Sequence, residues 1–236
     1  IKKVAVKALL HYVSDNPMQK LPKMFKIAEK LDRGHLYTKQ ISTMREVLLD
    51  EHSIWRTFTE NLFRDVDVKV IKKLVECFFV NANLDGAQRA VAAEKKYDCN
   101  IPWAILMDPT SACNLSCTGC WAAQYGDKNN LSFETLDSIC QQGKELGTYF
   151  YIFSGGEPLV RKKDIIRLCR KHNDCYFFAF TNGTLVDDGL CEQMLDVGNF
   201  ALAFSIEGDE EATDMRRGKG TYRKVIEAME RMRKHR

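Results

Sequence analysis

The sequence predicts two parts: an all-α domain over residues 1–100 and, over residues 101–236, an α/β domain built on a parallel sheet. Three observations carry the prediction. Apolar residues before Pro102 recur at helical spacing, whereas after it short apolar runs alternate with amphipathic helices. Three cysteines then crowd into the stretch Cys113 to Cys120, directly after the first of those runs.

From Ile1 to about Tyr97 the pattern fits roughly five or six helices. Val4, Ala8 and Leu9 mark the first, Phe25, Ala28 and Leu31 another, and breaks are expected near Asn16-Pro17, Arg33-Gly34 and Asp85-Gly86. Val66 to Val80 is rich in β-branched residues. Its apolar positions Val70, Ile71, Leu74, Cys77 and Phe78 nevertheless line one side of a helix. Ile1 to Val13 interleaves Lys2, Lys3 and Lys7 with apolar residues, as does a helix packed on its own domain or one lying on an anionic membrane surface; the first use is the commoner. By the same logic Trp55, Phe58, Leu62 and Phe63 are expected in a core.

After Pro102 the apolar runs are Trp103 to Met107, Thr148 to Phe153, Cys175 to Phe180 and Phe200 to Ile206. Between them lie helices whose apolar faces carry Leu136, Ile139, Cys140 and Leu146; Ile165, Ile166, Leu168 and Cys169; and Leu190, Cys191, Met194 and Leu195. This alternation gives parallel strands, and right-handed crossovers bring all their C-terminal ends to one rim. A motif stands just past each strand: the cysteines, then Gly155-Gly156-Glu157-Pro158, Thr181-Asn182-Gly183 and Ser205-Ile206-Glu207-Gly208. On a βα barrel that rim is the active face.

Cys113, Cys117 and Cys120 have the spacing at which one short loop turns three thiolates onto a single inorganic cluster. A 4Fe-4S cube held at three corners keeps one iron open to an outside ligand, which points to chemistry and not storage. The alternative is a structural zinc site with Cys99 or Cys140 as fourth ligand. Cys77, Cys140, Cys169 and Cys191 fall on apolar helix faces and Cys175 begins a strand, as small core residues do.

The four motifs, in this order, resemble those of the radical S-adenosylmethionine (SAM) enzymes. The resemblance implies a partial (βα) barrel of six strands, of which four are counted here. The barrel is therefore expected to stop after the fourth strand and its helix, Thr221 to Arg233, and the chain, which opens on Ile1, to be a piece of a longer one. It further implies a 4Fe-4S cluster on Cys113, Cys117 and Cys120, and reductive cleavage of SAM to a 5′-deoxyadenosyl radical that takes hydrogen from a substrate. Gly155 and Gly156 would let backbone approach the methionine amine, with Glu157 adding negative charge. Thr181, Asn182, Ser205 and Glu207 would face the nucleoside or carboxylate, relatives often having Asp at the position of Glu207. Arg217, in Asp214-Met215-Arg216-Arg217-Gly218, would grip the carboxylate. Taken singly, the glycine motif also reads as a strand-to-helix turn, Asn182-Gly183 as a turn, and the arginine stretch as a solvated basic loop. Many relatives carry an aromatic residue just before the third cysteine; this chain has Gly119 there and Trp121 after it.

A reduced electron donor such as flavodoxin or ferredoxin and a peptide or small-molecule substrate follow from the same resemblance. The competing class is a non-catalytic metal-binding or electron-transfer module, which has no use for Gly155, Gly156, Ser205 and Glu207 along one rim. The formal charge of +3 gives no reason to expect nucleic acid as a partner. No run reaches the ~20 apolar residues of a membrane span, and no secretory signal opens the chain. Nine cysteines, three of them at ligand spacing, suit a reducing compartment, so a cytoplasmic location is expected.

Overall fold

A computed structural model describes residues 17–31, 37–126 and 128–235 and divides the chain into two units, residues 1–75 and 76–236. The expected helix at Ile1 to Val13, with its membrane-surface alternative, and the break at Arg33-Gly34 lie outside the described residues.

In the first unit Pro17 opens α1 (Pro17–Leu31), where a missing N–H costs nothing. Helices α2 (Thr38–Leu49), α3 (Ile54–Asp65) and α4 (Val68–Leu74) follow. Ser53 and Asp67 cap the last two by accepting from the backbone N–H of Trp55 and Lys69. Leu21 and Phe25, one turn apart on α1, are buried. Trp55 and Phe58 do not join a core as expected: both stay exposed and meet edge to face, 6.2 Å apart. Helical spacing identifies a shared face; it does not say what covers that face.

The stretch Val66 to Val80 is helical, as its periodicity requires, but it widens into a π-helix, Val75–Gly86, that leads straight into α5 (Ala87–Tyr97). The break expected at Asp85-Gly86 is absent. Gly86 keeps right-handed dihedrals of −63° and −45°, and its lack of a side chain serves packing: a Cβ there would stand 2.3 Å from the carbonyl oxygen of Gly147. This π-to-α stretch belongs largely to the second unit, which begins at Glu76.

The sheet has four parallel strands in the order β1 (Ala104–Met107), β2 (Phe150–Phe153), β3 (Tyr176–Thr181) and β4 (Phe200–Phe204). Met107 pairs with Phe153, Phe153 with Ala179, and Thr181 with Phe204. Between and after the strands come α6 (Phe133–Leu146), α7 (Lys162–Lys171), α8 (Asp188–Val197), α9 (Glu210–Arg217) and α10 (Thr221–His235). Ser205 and Ile206 lie past the end of β4. Alternate strand residues face opposite ways. Met107, Tyr151, Phe153, Phe177 and Ala179 are buried, as are Leu136, Cys140, Ile165, Ile166, Leu168, Cys169, Leu190 and Cys191 on the helices. The other strand face keeps Leu106 and Phe180 exposed, which is the arrangement of a barrel wall.

The N-terminal ends of the strands are closed by aromatic side chains. Phe78, from the π-helix, meets Phe150, Trp103 and Tyr176 edge to face at 5.2, 5.9 and 6.0 Å. Beneath them the buried Thr148 hydroxyl donates to Pro102 O at 2.6 Å, and the Tyr151 hydroxyl lies 2.9 and 3.0 Å from the carbonyls of Thr148 and Cys140. The opposite ends are left for loops. Among the described residues no helix is long and apolar enough to cross a membrane.

Replacing Gly86 by alanine is expected to lower stability by ~1–3 kcal/mol, as overpacking against rigid backbone does. Gly189, on the open side of α8, meets only one atom, 3.8 Å away, so Gly189→Ala should be neutral or stabilising. Thermal unfolding of the two variants side by side checks the contrast.

Candidate functional site

The loop that follows β1 is hydrogen-bonded to the turns after β2 and β3 and to the end of α9. Toward the second motif, Gly156 N donates to Thr110 O at 3.0 Å and Glu157 N to Ala112 O at 2.9 Å. Toward the third, the Asn182 amide donates to Asn114 Oδ1 at 2.9 Å while Asn114 Nδ2 donates to Thr184 Oγ1 at 2.7 Å. Beyond the fourth, Thr118 N donates to the carbonyl of Arg216 at the end of α9, at 2.8 Å. On its outer side the loop pairs with residues 129–131, Ser111 N donating to Asn129 O at 2.8 Å.

Within the loop, Cys120 N donates to Cys117 O across a tight turn, and Gly119 takes a φ of 69°. That left-handed backbone explains glycine at a position where many relatives carry an aromatic side chain. Cys113 is exposed and Cys117 and Cys120 are half-buried, in contrast to the buried Cys77, Cys140, Cys169, Cys175 and Cys191. The Cys113 thiol is raised chiefly by burial and further by the charges of Glu157, Cys117 and Cys120, against a lowering backbone hydrogen bond from Leu115. In a 4Fe-4S cube each cysteine takes a different iron, so the ligand sulfurs surround the cluster and do not converge on a point. Among the described residues no three His, Cys, Asp or Glu side chains converge on a single ion. Cys140, one candidate fourth zinc ligand, is fully buried beside Asp137, Lys144 and Asp174, and Cys99 is exposed after α5.

Glu157 faces inward. Its carboxylate is only 1% exposed and accepts from Leu159 N at 2.9 Å, Thr181 Oγ1 at 2.7 Å and Asn182 N at 2.7 Å. Burial pushes its pKa up and those three donors oppose the shift. Thr181 is itself 1% exposed, and its hydroxyl and the Glu157 carboxylate join the second motif to the third. The glycines are needed for the same internal assembly. A Cβ on Gly156 would lie 2.1 Å from Ala112 O, and one on Gly155, whose φ is 102°, would lie 2.6 Å from Thr110 O.

Glu207 and Arg217 meet each other. Arg217 donates from Nε and Nη2 to Glu207 Oε1 at 3.0 and 2.6 Å, and Arg216 Nη1 reaches the same oxygen at 2.8 Å. Arg217 first and Arg216 second hold the Glu207 carboxyl below its usual range. Ser205 is half-buried at the strand end, its N–H donating to Thr181 O at 2.8 Å.

Between the cysteine loop and the glycine turn lies a cavity of about 250 Å³ lined by Asp108, Ser111, Trp121, Ala122, Tyr125, Asn129, Gly155 and Gly156. Sequence reasoning did not single out Asp108, Asn114, Thr184 or Tyr125. Asn114 and Asp108 carried a usable signal, since one lies inside the cysteine motif and the other directly ends the first strand.

A helix-backed parallel sheet with its polar motifs at the C-terminal strand ends is the frame of a barrel-type enzyme that works at that rim. The chain belongs to the Radical SAM superfamily, whose family profile matches residues 107–236, more than half of its length. The family's cofactors are a 4Fe-4S cluster and SAM. Over 155 residues the chain is 30% identical to the cysteine-type anaerobic sulfatase-maturating enzyme of Clostridium perfringens strain 13, covering 57% of this chain and 42% of that protein. It is 33% identical over 124 residues to the Fe-coproporphyrin III synthase of Methanosarcina barkeri strain Fusaro, covering 50% and 31%. The chain thus spans well under half the length of these curated relatives. The solved structure of Streptococcus suis SuiB bound to S-adenosylmethionine superposes with a TM-score of 0.54 at 20% identity, covering 80% of this chain and 46% of that one, a likeness of fold.

Glu157→Gln keeps the shape but turns an amide NH₂ toward a donor that the carboxylate now satisfies. A loss of ~1–3 kcal/mol is expected from the unpaired buried group, read as a shift in the urea midpoint at unchanged slope.

Proposed function

We propose that this chain carries the catalytic core of a radical SAM enzyme, with Cys113, Cys117 and Cys120 as the ligands of its 4Fe-4S cluster. The observation that supports this most is the cysteine loop hydrogen-bonded to the glycine motif, to the Thr181-Asn182-Gly183 turn and to the end of α9, which keeps the loop and the two glycines in fixed register. When bound, the cluster supplies one electron that cleaves SAM reductively, giving a 5′-deoxyadenosyl radical that abstracts hydrogen from a substrate.

The protein's own part is geometric. Gly155 and Gly156 give the methionine ammonium a backbone surface without side chains, while Asn182, near Cys113 Sγ at 4.0 Å, and Ser205 border the nucleoside. Glu207 and Arg217 act as a pair in which the guanidinium orients the carboxylate toward the ribose and can turn to the SAM carboxylate. Glu157 and Thr181 position these groups from behind. Holding the reacting atoms in one geometry is where such a site gains its rate.

The functional boundary is placed near residue 100, with a helical domain before it and the barrel domain, 101–236, after it. The substrate is a peptide or a small molecule. Both classes suit the relatives, since one is named for maturating a sulfatase and another for making Fe-coproporphyrin III. A flavodoxin or ferredoxin supplies the electron in the cytoplasm.

The test is anaerobic reconstitution with iron and sulfide. A spectral change on adding SAM and 5′-deoxyadenosine after reduction are expected; stoichiometric zinc that resists replacement would overturn the reading. Cys117→Ser should abolish cluster assembly while leaving the far-UV circular dichroism unchanged. Arg217→Ala should weaken SAM binding roughly tenfold, equivalent to ~1.4 kcal/mol, with iron content unaltered.

A further inference from the structure

The cavity beside the cysteine loop has a chemical character that the cluster and its glycine turn do not account for. Among the described residues lining it, Asp108 is the only carboxylate and none is a cation. No hydrogen bond or ion pair engages the Asp108 carboxylate among the described residues, whereas Glu157 and Glu207 on the same rim are each held by three donors. A Cβ placed on Gly155 would lie 3.2 Å from the Asp108 carboxyl carbon, so the glycine is what leaves room beside this group. Two aromatic side chains line the same cavity: Trp121 and Tyr125 meet at 6.0 Å and 72° and are 61% and 56% exposed.

We propose that this cavity recognises a positively charged centre, a sulfonium or an alkylammonium, with Asp108 as its counter-charge and Trp121 and Tyr125 as its aromatic wall. An open carboxylate and exposed aromatic rings lining one cavity are the combination that attracts such a cation, by charge and by the ring quadrupole. Burial alone pushes the Asp108 carboxyl up, with no donor opposing the shift, so an arriving cation would find its charge uncompensated. A neutral ligand would leave that carboxylate unpaired. The cation has two sources, the sulfonium of SAM or an amine on the substrate, and the inference rests on the radical SAM reading only for the first.

The test uses the full chain, reconstituted anaerobically, as wild type and Asp108→Asn, with iron content measured in each. SAM and its neutral thioether, S-adenosylhomocysteine, are titrated by equilibrium dialysis. Tetramethylammonium is titrated separately by tryptophan fluorescence, with Trp121→Phe identifying the responding ring among Trp55, Trp103 and Trp121. If the cofactor supplies the cation, Asp108→Asn lowers the preference for SAM over the thioether by about tenfold at unchanged iron. If the substrate supplies it, that preference stays constant, while tetramethylammonium quenches Trp121 in the wild type and not in Asp108→Asn. The proposal is overturned when neither readout depends on Asp108. A wild type that takes up no iron would instead count against the radical SAM reading, and the tetramethylammonium titration would still decide the role of Asp108.

Discussion

The rim depends on one buried carboxylate. Glu157 leaves β2 and is closed over by donors from its own turn and from the end of β3, so two strands paired within the sheet stay joined past its edge. Removing a carboxylate from water is costly, and the three donors make it tolerable. Its backbone N–H is committed as well, to Ala112. The cysteine loop is thereby seated on a platform already fixed by β2 and β3, and the absence of a side chain on Gly156 lets the two backbones close to contact.

The two ends of the sheet have opposite chemistry for reasons visible in its residues. At the N-terminal ends the π-helix delivers Phe78 onto Phe150, Tyr176 and Trp103, and polar groups there, such as Thr148 and Tyr151, are turned inward to tie strand to strand. At the C-terminal ends the side chains are short or charged and the backbone turns through Gly155 and Gly183 at positive φ. A sealed end supplies stability, which leaves the other free to carry loops that could not hold themselves.

Much of this was legible in the sequence. Strand, helix and motif order are encoded by apolar runs, periodicity and glycine, all local signals, and they placed the four strands to within a residue or two. What escaped was pairing across distance. Glu157 and Thr181 read as polar groups at a strand end, but whether a polar group faces solvent or another loop depends on a partner twenty-four residues away. Glu207 and Arg217 each suggested a ligand, and nothing local says that they reach each other. Gly86 looked like a helix break because its reason for being glycine, the carbonyl of Gly147, lies on another element. Trp55 and Phe58 marked a helix face correctly, and their spacing carried no information on its cover.

The division among the nine thiols also bears on how the protein matures. Cys77, Cys140, Cys169, Cys175 and Cys191 are buried, and burial pushes the Cys140 thiol up to about 12 and those of Cys169, Cys175 and Cys191 upward as well. Sulfur bound to hydrogen neither captures iron nor reacts readily with oxidants. The interior sulfurs of the folded chain therefore offer an incoming metal few anchoring points.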